Sequence, residues 1–172
     1  MPAIGRQGPA GADGVAGADG AAGADGAAGA TGAPGPAFAS KVRAWLSAAQ
    51  YPGTSAWTKV LLSSESYDGL GEFAGYKFTA TGAGYYFLMG AVRFKTIAAG
   101  VTFGVAVYKN GAPASIFVAK PAGAGNPYAF TQDILLLAPG DYLELYAYQD
   151  SGFAKDLVPD ELSTWMAVHR LS

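Results

Sequence analysis

The residues of this chain that could do chemistry are few: one histidine, no cysteine, and one loop rich in acids. His169 lies in the final apolar run, "STWMAVHRL", where a structural position is expected. A histidine-pair metal site is excluded by count, and a Ser-His-Asp group would have to be built around this one residue. The segment "DSGFAKDLVPDE" gathers Asp150, Asp156, Asp160 and Glu161. Calcium takes six to eight oxygen ligands, but the spacing of these acids fits no calcium-loop pattern, so the expectation is no cofactor, with calcium at these acids kept as the alternative. The glycine run has neither a following helix nor a suitably placed lysine, so nothing cradles a phosphate. The chain reads as non-enzymatic.

The elements that would position any site fall into two kinds. From Gly5 to Gly35 a glycine stands at every third place: Gly5, Gly8, Gly11, Gly14, Gly17, Gly20, Gly23, Gly26, Gly29, Gly32 and Gly35. This is the collagen rule, whose cause is steric. Three polyproline-II-like strands wound together leave room at their axis for a hydrogen atom only. A flexible linker has no reason to hold period three over eleven triplets, so the repeat over residues 5–37 predicts a trimer. Only Pro9, Pro34 and Pro36 pre-organise it, which predicts a triple helix that depends on a clamp beside it. At ~3.1 Å per residue such a rod is roughly 100 Å long, a spacer between a head and an anchor.

Asp13, Asp19 and Asp25 stand six residues apart, about 18 Å along a polyproline-II-like strand. That exceeds the Debye length of about 8 Å, so within one strand they barely repel. With Arg6 they account for the net charge of −2, and the remainder is neutral. Nucleic acid is therefore not expected as a partner. The hydrophobic fraction of 51% is inflated by alanine, and no apolar stretch reaches 18 residues, so no membrane insertion is expected. "MPAIGRQGPA" lacks the basic start and apolar block of a secretory signal, which suggests unconventional export or departure from the cell as part of a particle.

Past Phe38 the composition turns to short alternating runs split by Gly, Pro and Asn, the pattern of an all-β domain. Candidate strands are "SKVRAWL", "WTKVLLS", "GYKFTAT", "YYFLMGAVRF", "VTFGVAVYK", "ASIFVAK", "FTQDILLL", "DYLELYAYQ" and "STWMAVHRL". Eight to ten strands suit a sandwich or jelly roll. "KNGAP" marks a tight hairpin, since Asn110 and Gly111 tolerate positive φ. In "DYLELYAYQ", Leu143, Leu145 and Ala147 share one face and Tyr142, Glu144, Tyr146 and Tyr148 the other. In "GYYFLMGAVRF" Tyr85, Phe87 and Met89 alternate with Tyr86 and Leu88, and one set must be core. A subunit contact is expected at Tyr86, Leu88, Tyr142, Tyr146 and Tyr148, because tyrosine buries well while keeping its hydroxyl near water.

The ordered pieces "VRAWL", "WTKV", "SYDGLGEF", "YKFT", "GYYF", "YKNG", "LLLAPGDYLEL" and "STWMAVHRL" over residues 38–172 resemble the C1q/TNF-like family of trimeric jelly-roll heads. The resemblance implies a homotrimer packed about a threefold axis, with the aromatic face of "GYYF" and the strand after "PGD" at the interface. The collagen-plus-head plan also resembles that of bacteriophage fibres and spikes and of bacterial spore-surface proteins. The expectation is an N-terminal docking peptide (residues 1–4) in contact with a larger particle, the stalk (5–37), and a head (38–172) that trimerises and meets a host-surface glycan or protein. Receptor contacts are expected in the loop around Asn126, Tyr128 and Phe130 and in the acidic loop at Phe153 and Lys155. A virion-surface fibre leads. A bacterial spore or cell-surface protein, a lectin-like module and a purely structural trimer clamp are the rivals.

Overall fold

The computed structural model describes residues 1–2, 5, 8–28 and 40–171. The chain divides into two units, Met1–Gly35 and Pro36–Ser172. In the first, the described residues form neither helix nor strand and are exposed along their length. A β-carbon built at Gly5, Gly8, Gly11, Gly14, Gly17, Gly20, Gly23 or Gly26 would meet nothing within 4 Å, and none of these glycines has a positive φ. Gly29, Gly32 and Gly35 lie outside the described residues.

The described residues of the second unit form eleven strands. They are β1 (Lys41–Trp45), β2 (Thr58–Lys59), β3 (Ser64–Asp68), β4 (Phe73–Ala74), β5 (Lys77–Thr79), β6 (Gly84–Arg93), β7 (Phe103–Lys109), β8 (Ala112–Ala119), β9 (Tyr128–Leu137), β10 (Tyr142–Gln149) and β11 (Trp165–Arg170). One sheet runs β3-β1-β11-β6-β9 and the other β4-β5-β10-β7-β8, with β2 also paired to β10. All pairings are antiparallel. No helix occurs among the described residues.

The core lies between the sheets and follows the period-two rule. Leu143, Leu145 and Ala147 of β10 are fully enclosed, as expected from their alternation. Facing them are Val42 and Ala44 of β1, Met166 and Val168 of β11, and Tyr86, Leu88 and Val92 of β6. Tyr86 can be buried whole because its hydroxyl donates to the Gly82 carbonyl at 2.8 Å. The β7–β8 hairpin turns at Asn110 and Gly111, both at positive φ (51° and 80°), where the sequence places it.

The strand inventory differs from expectation at the edges. Of "WTKVLLS" only Thr58 and Lys59 pair, while Val60 and Leu62 are buried without strand structure. β3 and β4 carry no apolar alternation, and each is an edge strand paired on one side only.

Gly104 in β7 marks a close approach. A β-carbon there would stand 2.6 Å from the Phe117 carbonyl oxygen and 2.7 Å from Val118 Cγ1. Backbone cannot retreat as a side chain can, so Gly104→Ala is expected to destabilise the second unit by about 2 kcal/mol. Urea unfolding of the variant measures this.

At one end of the sandwich, Ser40 donates to the buried Glu72 carboxylate at 2.6 Å, and Asn110 meets Asp141 at 2.7 Å. The Ala138 backbone N–H, then Asn110 and Lys109, lower the Asp141 pKa from 3.8 to about 2. The opposite end carries the β1–β2, β6–β7, β8–β9 and β10–β11 connections. They are tied together by backbone bonds such as Leu157 N–H to Gln50 O (3.0 Å) and the Ile97–Gly125 pair.

Candidate functional site

The outward side of the β3-β1-β11-β6-β9 sheet carries a large apolar area, with Lys41, Arg43 and Gln132 set into the same rows. Register places Trp45, Trp165, Ala91 and Phe130 in one row across β1, β11, β6 and β9. Ala167 and Met89 follow in the next row, then His169, Phe87 and Ile134, then Tyr85 and Leu136. Ala91, Trp165 and Ala167 form a hydrophobic cluster separate from the core, with Trp45 and Met89 against it. The rim toward β9 is open: Ile134 is 54% and Leu136 60% exposed. Arg43 lies over the Trp165 ring at 4.2 Å, and Trp165 Nε1 donates to the Tyr128 hydroxyl at 3.1 Å.

This face corrects two expectations. Tyr86 and Leu88, expected at a subunit contact, are fully enclosed in the chain's own core. Alternation defines two faces without saying which turns inward, and it is Tyr85, Phe87 and Met89 that point outward. Tyr128 and Phe130, expected in a binding loop, belong to β9, and both lie on this face.

A second apolar surface lies on the edge strand β8, where Ile116, Phe117 and Val118 are all exposed. Three consecutive apolar residues on an open edge invite pairing or cover. The β10 tyrosines are covered differently, by their own chain. Tyr146 stacks on Tyr108 with ring centroids 4.0 Å apart, Trp57 packs on Tyr148 at 5.3 Å, and Lys77 lies over Tyr142 at 4.6 Å. Burial first, then the Glu144 carboxylate, raise the Tyr146 phenol above its usual value of 10. Cover expected from a neighbouring subunit is thus supplied in part within the chain.

The acids of the β10–β11 connection are dispersed. Asp150 accepts the Thr102 N–H at 2.7 Å, Asp156 faces Lys95 at 3.7 Å, and Asp160 accepts the Leu162 N–H at 2.8 Å. Among the described residues no three His, Cys, Asp or Glu gather as for a metal ion. His169 is engaged by Tyr67, whose hydroxyl is 2.7 Å from its Nε2. Burial, then Lys41, lower its pKa from 6.5.

The loop end presents Phe153, 76% exposed, and Tyr51, 59% exposed. Both loops hang on one buried side chain, Gln149. Its Nε2 donates to the carbonyls of Pro52 (3.3 Å), Gly53 (3.0 Å) and Phe153 (2.7 Å), and its Oε1 accepts the Ser151 N–H at 2.7 Å. Lys155 is fixed through its backbone N–H to Pro52 O. Asn126 is exposed, but its side chain accepts the Thr96 N–H at 2.9 Å and so braces its own loop. Gln149 gave no signal in the sequence, since nothing marks a polar residue at a strand end as buried.

The sheet order and the two-layer packing define a jelly roll of the TNF and C1q type. Three solved structures show the likeness. The crystal structure of murine APRIL is 18% identical and matches over 77% of this chain and 98% of its own, with a TM-score of 0.58. The globular domain of zebrafish complement C1qA is 11% identical over 77% and 97%, at 0.56. Eiger TNF from S. frugiperda is 9% identical over 77% and 92%, at 0.53. At these identities the likeness is one of fold. No protein-family model and no curated protein matches the chain.

Proposed function

We propose that this chain is a non-enzymatic homotrimeric fibre or spike on the surface of a bacteriophage-like particle, with a collagen-like stalk as spacer and the jelly-roll head as trimer clamp and attachment tip. The carrying observation is that the repeat glycines have no use within one chain. Glycine is required where φ is positive or where another group comes close, and neither holds at the eight described repeat glycines. Their regularity is accounted for by two further strands of the same sequence.

The head supports the same stoichiometry. A threefold ring needs a heterologous contact, two different patches that complement each other. The outward face of the β3-β1-β11-β6-β9 sheet and the β8 edge are two such patches. Attachment falls to the loop end, where Gln149 holds Phe153 and Tyr51 outward; repeated three times, weak contacts there add up. This end lies opposite Ser40, the first described residue of the head.

Light scattering of the full chain is expected to give three times the 17.5 kDa chain mass, and a monomer at micromolar concentration overturns the proposal. Gly20→Val is expected to weaken the collagen-type circular-dichroism band and lower its melting temperature while leaving the trimeric head intact, since a single bulky residue disrupts and destabilises the triple helix locally.

A further inference from the structure

Where β3 and β4 leave the sandwich open, a cleft of about 380 Å³ is lined by Leu62, Ser63, Glu65, Phe73, Gly75 and Tyr76, among others. A second, of about 180 Å³, shares Ser63 and Tyr76 with it. The larger falls in the ~300–1,000 Å³ range of small-molecule sites.

Tyr76 forms the wall common to both. It occupies the second place of the two-residue β4–β5 turn at φ 63°, after Gly75 at 59°. A bulky residue in the left-handed region is strained, and such strain persists where surrounding structure over-determines it. Lys59 supplies that restraint, bonding the Gly75 carbonyl at 3.2 Å and the Glu144 carboxylate at 2.7 Å. Tyr76 is 41% exposed and, among the described residues, its side chain has no aromatic, cationic or hydrogen-bond partner.

Glu65 pairs with Ala44, a core-facing residue, so its side chain points to the inner side of the sheet edge and into the cleft. Its carboxylate forms no hydrogen bond or ion pair among the described residues. An unstacked aromatic ring, an unengaged carboxylate and the Ser63 hydroxyl, itself 2.7 Å from Ser47 Oγ, are complementary to one ligand chemistry. The apolar C–H face of a pyranose stacks on a ring, and its vicinal hydroxyls donate to a carboxylate. The uncompensated charge of Glu65 disfavours anionic sugars. Strand addition along β3 is opposed by the inward acid and by the register shift at Arg43/Ala44.

We infer that the paired cleft at Tyr76 and Glu65 binds neutral hexose units, the ring of Tyr76 stacking on a sugar face and Glu65 accepting from its hydroxyls. This extends the surface-attachment reading, and its test is read at the cleft alone, so its failure and that of the trimer are separate results.

The probes are the methyl glycosides of mannose, glucose and galactose at millimolar concentration, read by saturation-transfer NMR on the full chain. Transfer to at least one glycoside is expected, falling about tenfold in Tyr76→Ala and severalfold in Glu65→Gln. Tyr76→Gly removes the ring without backbone strain and is expected to lose transfer while raising the unfolding midpoint. That separates loss of binding from loss of folding. No transfer to any of the three, or transfer unchanged in Tyr76→Gly, overturns the assignment.

Discussion

If the chain forms the proposed trimer, Ile134→Asp is expected to give a folded monomer. In the single chain this side chain is 54% exposed on the outward sheet face, and an exposed substitution in a strand changes stability by less than about 1 kcal/mol. In a trimer closed through that face, the same position takes an uncompensated carboxylate out of water. At about 3 kcal/mol for each of three equivalent contacts, micromolar association does not survive. Val118→Asp, on the β8 edge and 53% exposed, is expected to do the same from the complementary patch. Light scattering reads the mass and urea unfolding the integrity of the head. A trimer that survives both changes would place the contact elsewhere.

Glu72→Ala is expected to cost the head about 3 kcal/mol, or roughly 10 °C in melting temperature. Glu72 is 3% exposed. Its carboxylate accepts from the Ser40 hydroxyl at 2.6 Å, from the Thr81 N–H at 3.0 Å and from the Thr81 hydroxyl. Its own backbone bonds Asp68 and Thr79. One side chain thus joins the start of β1 to the turn before β6. Alanine leaves the enclosed Ser40 hydroxyl without its acceptor, whereas Glu72→Gln keeps an amide oxygen for Thr81 and is expected to lose about 1 kcal/mol. Thermal melts of the two variants give the comparison, and equal losses would count against this network.

The sandwich was legible because its central strands obey a simple rule: β10 alternates cleanly, and Asn110-Gly111 supplies a turn only such residues form easily. The parity of β6 was not legible, since both of its faces are apolar and aromatic. Sequence alone could not show that Tyr86 has the Gly82 carbonyl as a partner within the core. β3 escaped notice for the opposite reason. An edge strand needs no apolar alternation, and "SESYD" has none. The acidic loop looked like a cluster because its acids are close in sequence, yet Asp150, Asp156 and Asp160 are drawn to three different partners by the loops around them. Tyr76 was invisible as a candidate, because its interest lies in a dihedral angle.

Gln149 makes every one of its four bonds to main-chain atoms: three carbonyls and one N–H. Main-chain atoms are the same whatever side chains the loops carry, so this tether does not depend on the identity of Phe153 or Tyr51, while the Thr54 hydroxyl accepts from Gly152 N–H and the Ser151 hydroxyl donates to the Phe153 carbonyl. Phe153 or Tyr51 can be exchanged and the tether still closes. The exposed aromatic side chains at this end of the sandwich can therefore change by single substitution without disturbing the main-chain bonds of Gln149 beneath them.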